Sequence, residues 1–160
     1  MPDLVVHQQD KEREERAVLH VLFKVFDAEY ALPVDTVLQM ESFQGATPVP
    51  GAPEFVTGII QIRGRVIPVV DLRIRFGFPP APLTLDSRVV LGRHGERAVA
   101  LLVDSAREVL TIPASVLKPP HKLLEGDRGG FVSAVAQLGS RLVMVLDFAK
   151  VIGEESLDVV

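Results

Sequence analysis

The chain has 160 residues, a net charge of −4 at neutral pH and no cysteine. That length suits one ordinary domain, which buries about 70% of its unfolded surface without staples. The absence of thiols excludes disulfides and Cys-ligated zinc or iron–sulfur centres and fits a reducing, intracellular compartment, while the acidic balance argues against nucleic acid as a partner, since a phosphate-backbone binder needs a basic face.

Residues Asp10 to Arg16 are all charged and have no apolar side to bury, so 1–16 reads as a solvated, disordered tail. From Ala17 the composition changes, and Val18 to Phe26 is rich in β-branched residues, which predicts a first strand. Asp27-Ala28-Glu29 turns the chain into Tyr30 to Pro33, after which Asp35 is expected to cap a short helical turn reaching Gln39. The stretch Gly45 to Pro53 holds Pro48, Pro50 and Pro53 and is an extended connection. Gly58 to Ile62 and Arg65 to Val70 are apolar runs separated by Arg63-Gly64, the pattern of a hairpin with a tight turn. Pro68 cannot donate to a ladder, which predicts an edge strand or a bulge. Asp71 then caps a helix from Leu72 to Phe76, stopped by Gly77.

Pro79, Pro80 and Pro82 bridge to a second half with strands expected near Ser87 to Leu91, Ala98 to Val103, Arg107 to Ile112, Phe131 to Gln137 and Arg141 to Leu146. A loop from Lys118 to Gly130 interrupts them, and a helix follows Asp147. The longest uncharged apolar run, Ala98 to Val103, is far short of the ~20 residues of a membrane helix, and no signal segment is visible. Direct membrane insertion is not expected.

The second half repeats the first. Ala31-Leu32-Pro33-Val34-Asp35 returns as Ala100-Leu101-Leu102-Val103-Asp104, and Arg65-Val66-Ile67-Pro68-Val69-Val70-Asp71-Leu72 returns as Arg141-Leu142-Val143-Met144-Val145-Leu146-Asp147-Phe148. Two copies are too few for a solenoid or propeller. Many short strands with turn signals between them indicate an all-β fold of two small barrels related by pseudo-duplication, with short capping helices and a C-terminal helix. The expected units span about 17–80 and 81–153, with strand exchange between them left open, and 154–160 is a C-terminal tail.

Catalytic chemistry finds no foothold. His7, His20, His94 and His121 lie in four different contexts, without a partner at ligand spacing, so no metal or cofactor is expected. There is no Gly-x-Ser-x-Gly elbow and no phosphate-cradling loop. Asp35, Asp71, Asp104 and Asp147 each close an apolar strand and are expected to cap the next turn rather than to work as acid and base. Arg63, at the hairpin tip, is the one residue for which a recognition role competes with simple solvation.

The residues Leu22-Phe23, Tyr30-Ala-Leu-Pro-Val34, Val37, Pro48-Val-Pro50, Gly58-Ile-Ile-Gln-Ile-Arg63-Gly64, Val66-Ile-Pro68-Val-Val-Asp71-Leu-Arg73 and Phe76-Gly77 together resemble the CheW family of chemotaxis coupling proteins. Leu102-Val-Asp104, Pro119-Pro120, Val135-Ala136 and Leu146-Asp147 continue the likeness, which covers Ala17 to Gly153. The resemblance implies two five-stranded, SH3-like barrels around a shared apolar core. It also implies a non-enzymatic scaffold joining the regulatory domain of a CheA-type histidine kinase to the cytoplasmic tips of methyl-accepting chemoreceptors, with ring or array assembly, in flagellar, gliding or pilus motility. Carried over residue by residue, it assigns receptor contact to Arg63, Val34, Val37 and Met40, and kinase or array contact to Lys118 and Leu123. Gly58, Gly64, Asp71 and Asp147 are expected to serve the fold. Such a protein is cytoplasmic and recruited to the receptor array. This chain departs from the family at Gln61, where Asn is usual, at Ala134, where Gly is common, and at Gln39, where an acidic residue is frequent. The alternative from another class is a small-ligand-binding double barrel, or an enzyme with a cryptic site in the inter-barrel cleft. Convergent polar groups in that cleft favour the alternative, whereas an apolar surface favours the adaptor.

Overall fold

The computed structural model describes residues 17–120 and 130–153. Its strands are β1 (Val18–Val25), β2 (Ala28–Pro33), β3 (Val37–Ser42), β4 (Val56–Ile62), β5 (Arg65–Asp71), β6 (Arg88–His94), β7 (Arg97–Val103), β8 (Ser105–Ile112), β9 (Leu117–Lys118), β10 (Val132–Leu138) and β11 (Arg141–Leu146). Helices α1 (Leu72–Arg75) and α2 (Phe148–Ile152) follow β5 and β11, and 3-10 turns cover Val34–Thr36 and Ala114–Val116. The tails 1–16 and 154–160, and Leu123 with most of its loop, lie outside the described residues.

Neither sheet is made from one half of the chain. The order is β8-β1-β2-β11-β10-β9 in one sheet and β3-β6-β7-β5-β4 in the other. Each repeat therefore lends its first hairpin, β1–β2 or β6–β7, to the sheet carrying the last strands of its neighbour. Contiguous units at 17–80 and 81–153 do not describe this pairing. The repeat is kept to the residue, since Ala31 pairs with Val145 across the parallel β2–β11 ladder as Ala100 pairs with Val69 across β7–β5. The resemblance implied five strands in each half, whereas one sheet has six because the two-residue β9 adds to β10.

Alternation along the exchanged strands feeds three apolar clusters. Phe23, Val25, Tyr30 and Leu32 of the six-stranded sheet meet Val70, Val90, Val99, Leu101 and Val103 of the five-stranded sheet, together with Leu146, Phe148, Val151 and Ile152, in a shared core. Side chains on the opposite faces fill a separate cluster within each sheet: Ile67, Val69, Val89, Leu91 and Ala100 in one, and Leu22, Ala31, Ile112, Val143 and Val145 in the other. A sheet that buries its second face against itself must curl. Arg141 of β11 shows the curl directly, donating 2.7 Å hydrogen bonds to both Glu29 of β2 and Glu108 of β8, although β8 is three strands away in the ladder.

Three local expectations change. β5 lies between β4 and β7, so Pro68 is not on an edge strand. Ile59, opposite Pro68, exchanges both of its backbone hydrogen bonds with Thr47 on its other side. Ile59 and Pro68 are thus a non-hydrogen-bonded pair, and the missing N–H faces β7 one residue before that ladder begins at Val69. The turn after β2 ends at Thr36, and Pro33 rather than Asp35 precedes it, with no side-chain cap. Asp104 caps no helical turn after it, because β8 starts immediately.

Asp71 accepts from the Arg73 N–H at 2.9 Å, and Asp147 accepts from the Lys150 N–H at 3.2 Å, at the starts of the two helices. Burial pushes the Asp71 carboxyl above its ordinary range, and the N–H groups of Arg73 and Ile74 oppose that shift.

A side chain at Gly58 would place Cβ 2.3 Å from the Thr47 carbonyl oxygen, so Gly58→Ala is expected to lower stability by roughly 2 kcal/mol, a fall of about 4–8 °C in melting midpoint for a domain of this size. An unchanged midpoint contradicts the close crossing at Thr47. The Arg141 guanidinium holds Glu29 and Glu108 below the ordinary value of 4.5. Their contribution is therefore present above that value and lost as pH falls through the lowered one. Arg141→Gln is expected to melt earlier than wild type at neutral pH, with the difference closing in acid. A gap that persists at pH below the carboxylate range shows that Arg141 acts by packing instead.

Candidate interaction surface

Arg63 and Gly64 form a two-residue turn between the paired residues Ile62 and Arg65, with φ of 50° and 78°. Both central residues are left-handed, as a type I′ turn requires. Glycine tolerates this without cost, whereas an L-residue bearing a long side chain does so reluctantly. The Arg63 side chain is exposed and makes no hydrogen bond or ion pair among the described residues.

The register locates the other residues around it. Val37 pairs with Gly92 and His94 with Arg97, while β5 runs parallel to β7. The start of β3, the β6–β7 turn and the β4–β5 turn therefore emerge side by side at one end of the five-stranded sheet. Val34 and Val37, both half-buried, thus share an end with Arg63, with the β6–β7 tip between them. Met40 is 40% exposed but pairs with Val90 near the middle of β3, away from that end. Lys118 is exposed on β9, at the edge of the other sheet opposite Val135.

The two sheets meet at a polar seam that the sequence did not disclose. Arg73 of α1 forks onto Asp104, its Nε to Oδ1 at 2.8 Å and its Nη2 to Oδ2 at 2.5 Å. Asp104 Oδ2 also accepts from the Phe26 N–H at 2.7 Å, and the Arg73 guanidinium lies 4.0 Å above the Phe26 ring. Phe26 sits in the β1–β2 turn with φ of 56°, a conformation that bulky residues rarely adopt. The only signal in the sequence was an Asp closing an apolar strand, which reads equally as a cap. Nearby, Arg75 is held between the rings of Phe55 and Phe131, at 4.2 and 4.9 Å, and donates to the Val151 carbonyl of α2 at 2.8 Å.

At the seam itself these groups engage one another, and a larger, open depression beside it is lined by Lys24, Phe26, Thr84, Asp86, Asp104 and Ser105. The space between the sheets is filled by the shared core. The depression at the seam is lined by Asp71, Arg73, Ser87 and Asp104, whose charged groups already engage one another or a backbone N–H. Among the described residues, no group of three or more His, Asp or Glu side chains is placed to hold a metal ion, and no helix is long and apolar enough to cross a membrane.

Comparison with known proteins agrees with the duplicated architecture. Residues 19–156 match the model of the CheW-like domain. The chain is 30% identical over 136 residues to the chemotaxis protein CheW of Bacillus subtilis (strain 168), covering 85% of this chain and 87% of the relative. It is 27% identical over 133 residues to protein FrzA of Myxococcus xanthus, covering 81% and 82%. The crystal structure of the scaffolding protein TtCheW from Thermoanaerobacter tengcongensis superposes with a TM-score of 0.80 at 27% identity, covering 88% of this chain and 95% of that one. With the family model spanning most of its length and a solved scaffolding relative superposing over 88% of it, the chain belongs to the CheW-like family, which supports a chemotaxis adaptor role.

Proposed function

We propose that this chain is a non-enzymatic coupler that holds a CheA-type histidine kinase, through the kinase's regulatory domain, to the cytoplasmic tips of methyl-accepting chemoreceptors, in ring or array assemblies. The observation that carries this reading is Arg63. The hairpin alone favours Asn or Gly at that position, yet the chain keeps an arginine there in a left-handed conformation, exposed and without an intramolecular partner among the described residues. Strain retained where no internal contact repays it points to an external one, and a planar guanidinium with five donors suits carboxylates and helix-end carbonyls. Val34 and Val37 at the same end supply apolar area beside it, and Met40 extends that area along β3. We assign receptor contact to this end and kinase or array contact to the opposite sheet around Lys118, with the loop that carries Leu123 next to it. Such a protein works in the cytoplasm, recruited to the receptor array.

Arg63→Asn separates strain from recognition. It is expected to raise stability by up to ~1 kcal/mol, because Asn accepts positive φ, while weakening capture of a receptor tip fragment by about 1–3 kcal/mol. Gly64→Val is expected to melt early, since a β-branched residue at positive φ strains the turn. Co-sedimentation and thermal melting of both variants read the two effects. Normal receptor capture by Arg63→Asn removes the recognition role. The purified chain is expected to alter receptor-dependent kinase phosphorylation without turning over ATP, and intrinsic ATPase activity in clean protein overturns the adaptor reading.

A further inference from the structure

Arg65 and Arg141 are repeat mates at the starts of β5 and β11, yet their surroundings differ. Arg141 is held by Glu29 and Glu108. Ala31 faces Leu22 and Val145 as Ala100 faces Leu91 and Val69, so the position of Glu29 corresponds to Ala98. Glu108 lies opposite Leu22 as Gln39 lies opposite Leu91, so the position of Glu108 corresponds to Gln39. Both carboxylates that satisfy the arginine of one repeat are absent from the other. The Arg65 side chain is left exposed, with no hydrogen bond or ion pair among the described residues.

Arg65 is not isolated. It follows the Arg63–Gly64 turn directly, and the neighbouring β6–β7 tip carries exposed Arg93 and His94. Arg93 pairs with Ala98 on the strand beside β5 and, like Arg63 and Arg65, has no internal partner among the described residues. Arg97, at the same tip, is already committed to the Gly153 carbonyl. Among the described residues, the acidic groups at this end are Asp35 and Glu96. Three arginines whose side chains are unpaired among the described residues are thus gathered at one end of a chain whose net charge is −4.

We propose that Arg63, Arg65 and Arg93 form a cationic ledge spanning two adjacent hairpin tips, and that its occupant is a carboxylate-bearing segment of the protein partner. This rests on the adaptor reading of Arg63 and names the chemistry of what that end receives. Charge complementarity sets the class of partner. The half-buried Val34 and Val37 beside the ledge, and the two interspersed carboxylates, suit a protein surface with mixed contacts better than a uniform polyanion such as nucleic acid. Ledge charges lie at the rim, where they steer association and are screened by salt.

The test uses the full chain, a soluble chemoreceptor signalling-tip fragment from the same organism and a DNA duplex as the competing polyanion. The double variant Arg65→Glu/Arg93→Glu is expected to bind the fragment roughly tenfold more weakly at low salt, from two exposed pairs lost, and with a shallower salt dependence than wild type. Arg65→Lys/Arg93→Lys is expected to keep most of the binding, and both variants are expected to melt with wild type. If Arg63→Asn weakens binding while the glutamate variant binds like wild type with the same salt dependence, the ledge is overturned and the adaptor reading stands. If the wild-type chain captures no fragment at low salt, both are overturned. If the duplex displaces the fragment at equal concentration, the ledge is a polyanion site and the proposal of an acidic protein segment is wrong.

Discussion

The structure depends on the exchange of hairpins between its two repeats. A small antiparallel unit of this size cannot bury enough apolar surface alone. Here β1–β2 completes the sheet of the second repeat and β6–β7 completes that of the first, so neither half possesses a whole sheet until both have folded. The shared core between the sheets is a direct consequence, because the exchanged strands are apolar on both faces: one face lines a sheet's own interior and the other meets the opposite sheet. Strands buried on both sides read as near-continuous apolar runs, as Ala98 to Val103 does.

Cations secure the joint where apolar contact ends. Arg75 of α1 binds a carbonyl of α2 and is sandwiched by aromatic rings from the two repeats, Phe55 and Phe131, and burial lowers the pKa of its guanidinium, which stays charged. Phe76 continues the contact, with ring centroids 5.2 Å from Tyr30 and 5.5 Å from Phe131. Arg73 does the same at the other side of the seam through Asp104 and Phe26. The aromatic faces and carbonyls that face these arginines account for their cost of burial. Arginines that hold the fold together are therefore distinguishable from Arg63, Arg65 and Arg93 at the sheet end: the side chains of the former have partners, as does that of Arg97, and those of the latter three do not, among the described residues.

This division is what gives one end of the five-stranded sheet its character. The duplicated scaffold could have paired Arg65 as it pairs Arg141, and instead places Ala98 and Gln39 where the carboxylates stand in the other repeat. A duplicated fold can keep its core identical in both copies, because close packing punishes change, while its strand ends diverge at little cost to stability. Difference between repeat mates at a surface is thus informative in a way that surface composition alone is not.

Local chemistry was legible in the residues themselves: the Arg63–Gly64 turn, the Asp71 and Asp147 helix starts and the correspondence of Ala31 with Ala100 arise from φ preferences, capping and alternation, all of which act within a few residues. Asp35 and Asp104 misled because an Asp at the end of an apolar strand signals a cap only where the next residues are helical, and strand pairing across the molecule decides whether they are. At Pro68 only the edge-strand half of the expectation fails, since an interior strand tolerates proline where the neighbouring ladder has not yet begun, and the β4–β5 pairing shifts register one pair away, between Val56 and Gly58. Which hairpin joins which sheet, the Arg73–Asp104 seam and the gathering of Arg63, Arg65 and Arg93 required the tertiary structure. Alternation tells a strand which face is apolar but not which apolar face it will meet, and two repeats with the same pattern offer each hairpin two nearly equivalent sheets to complete.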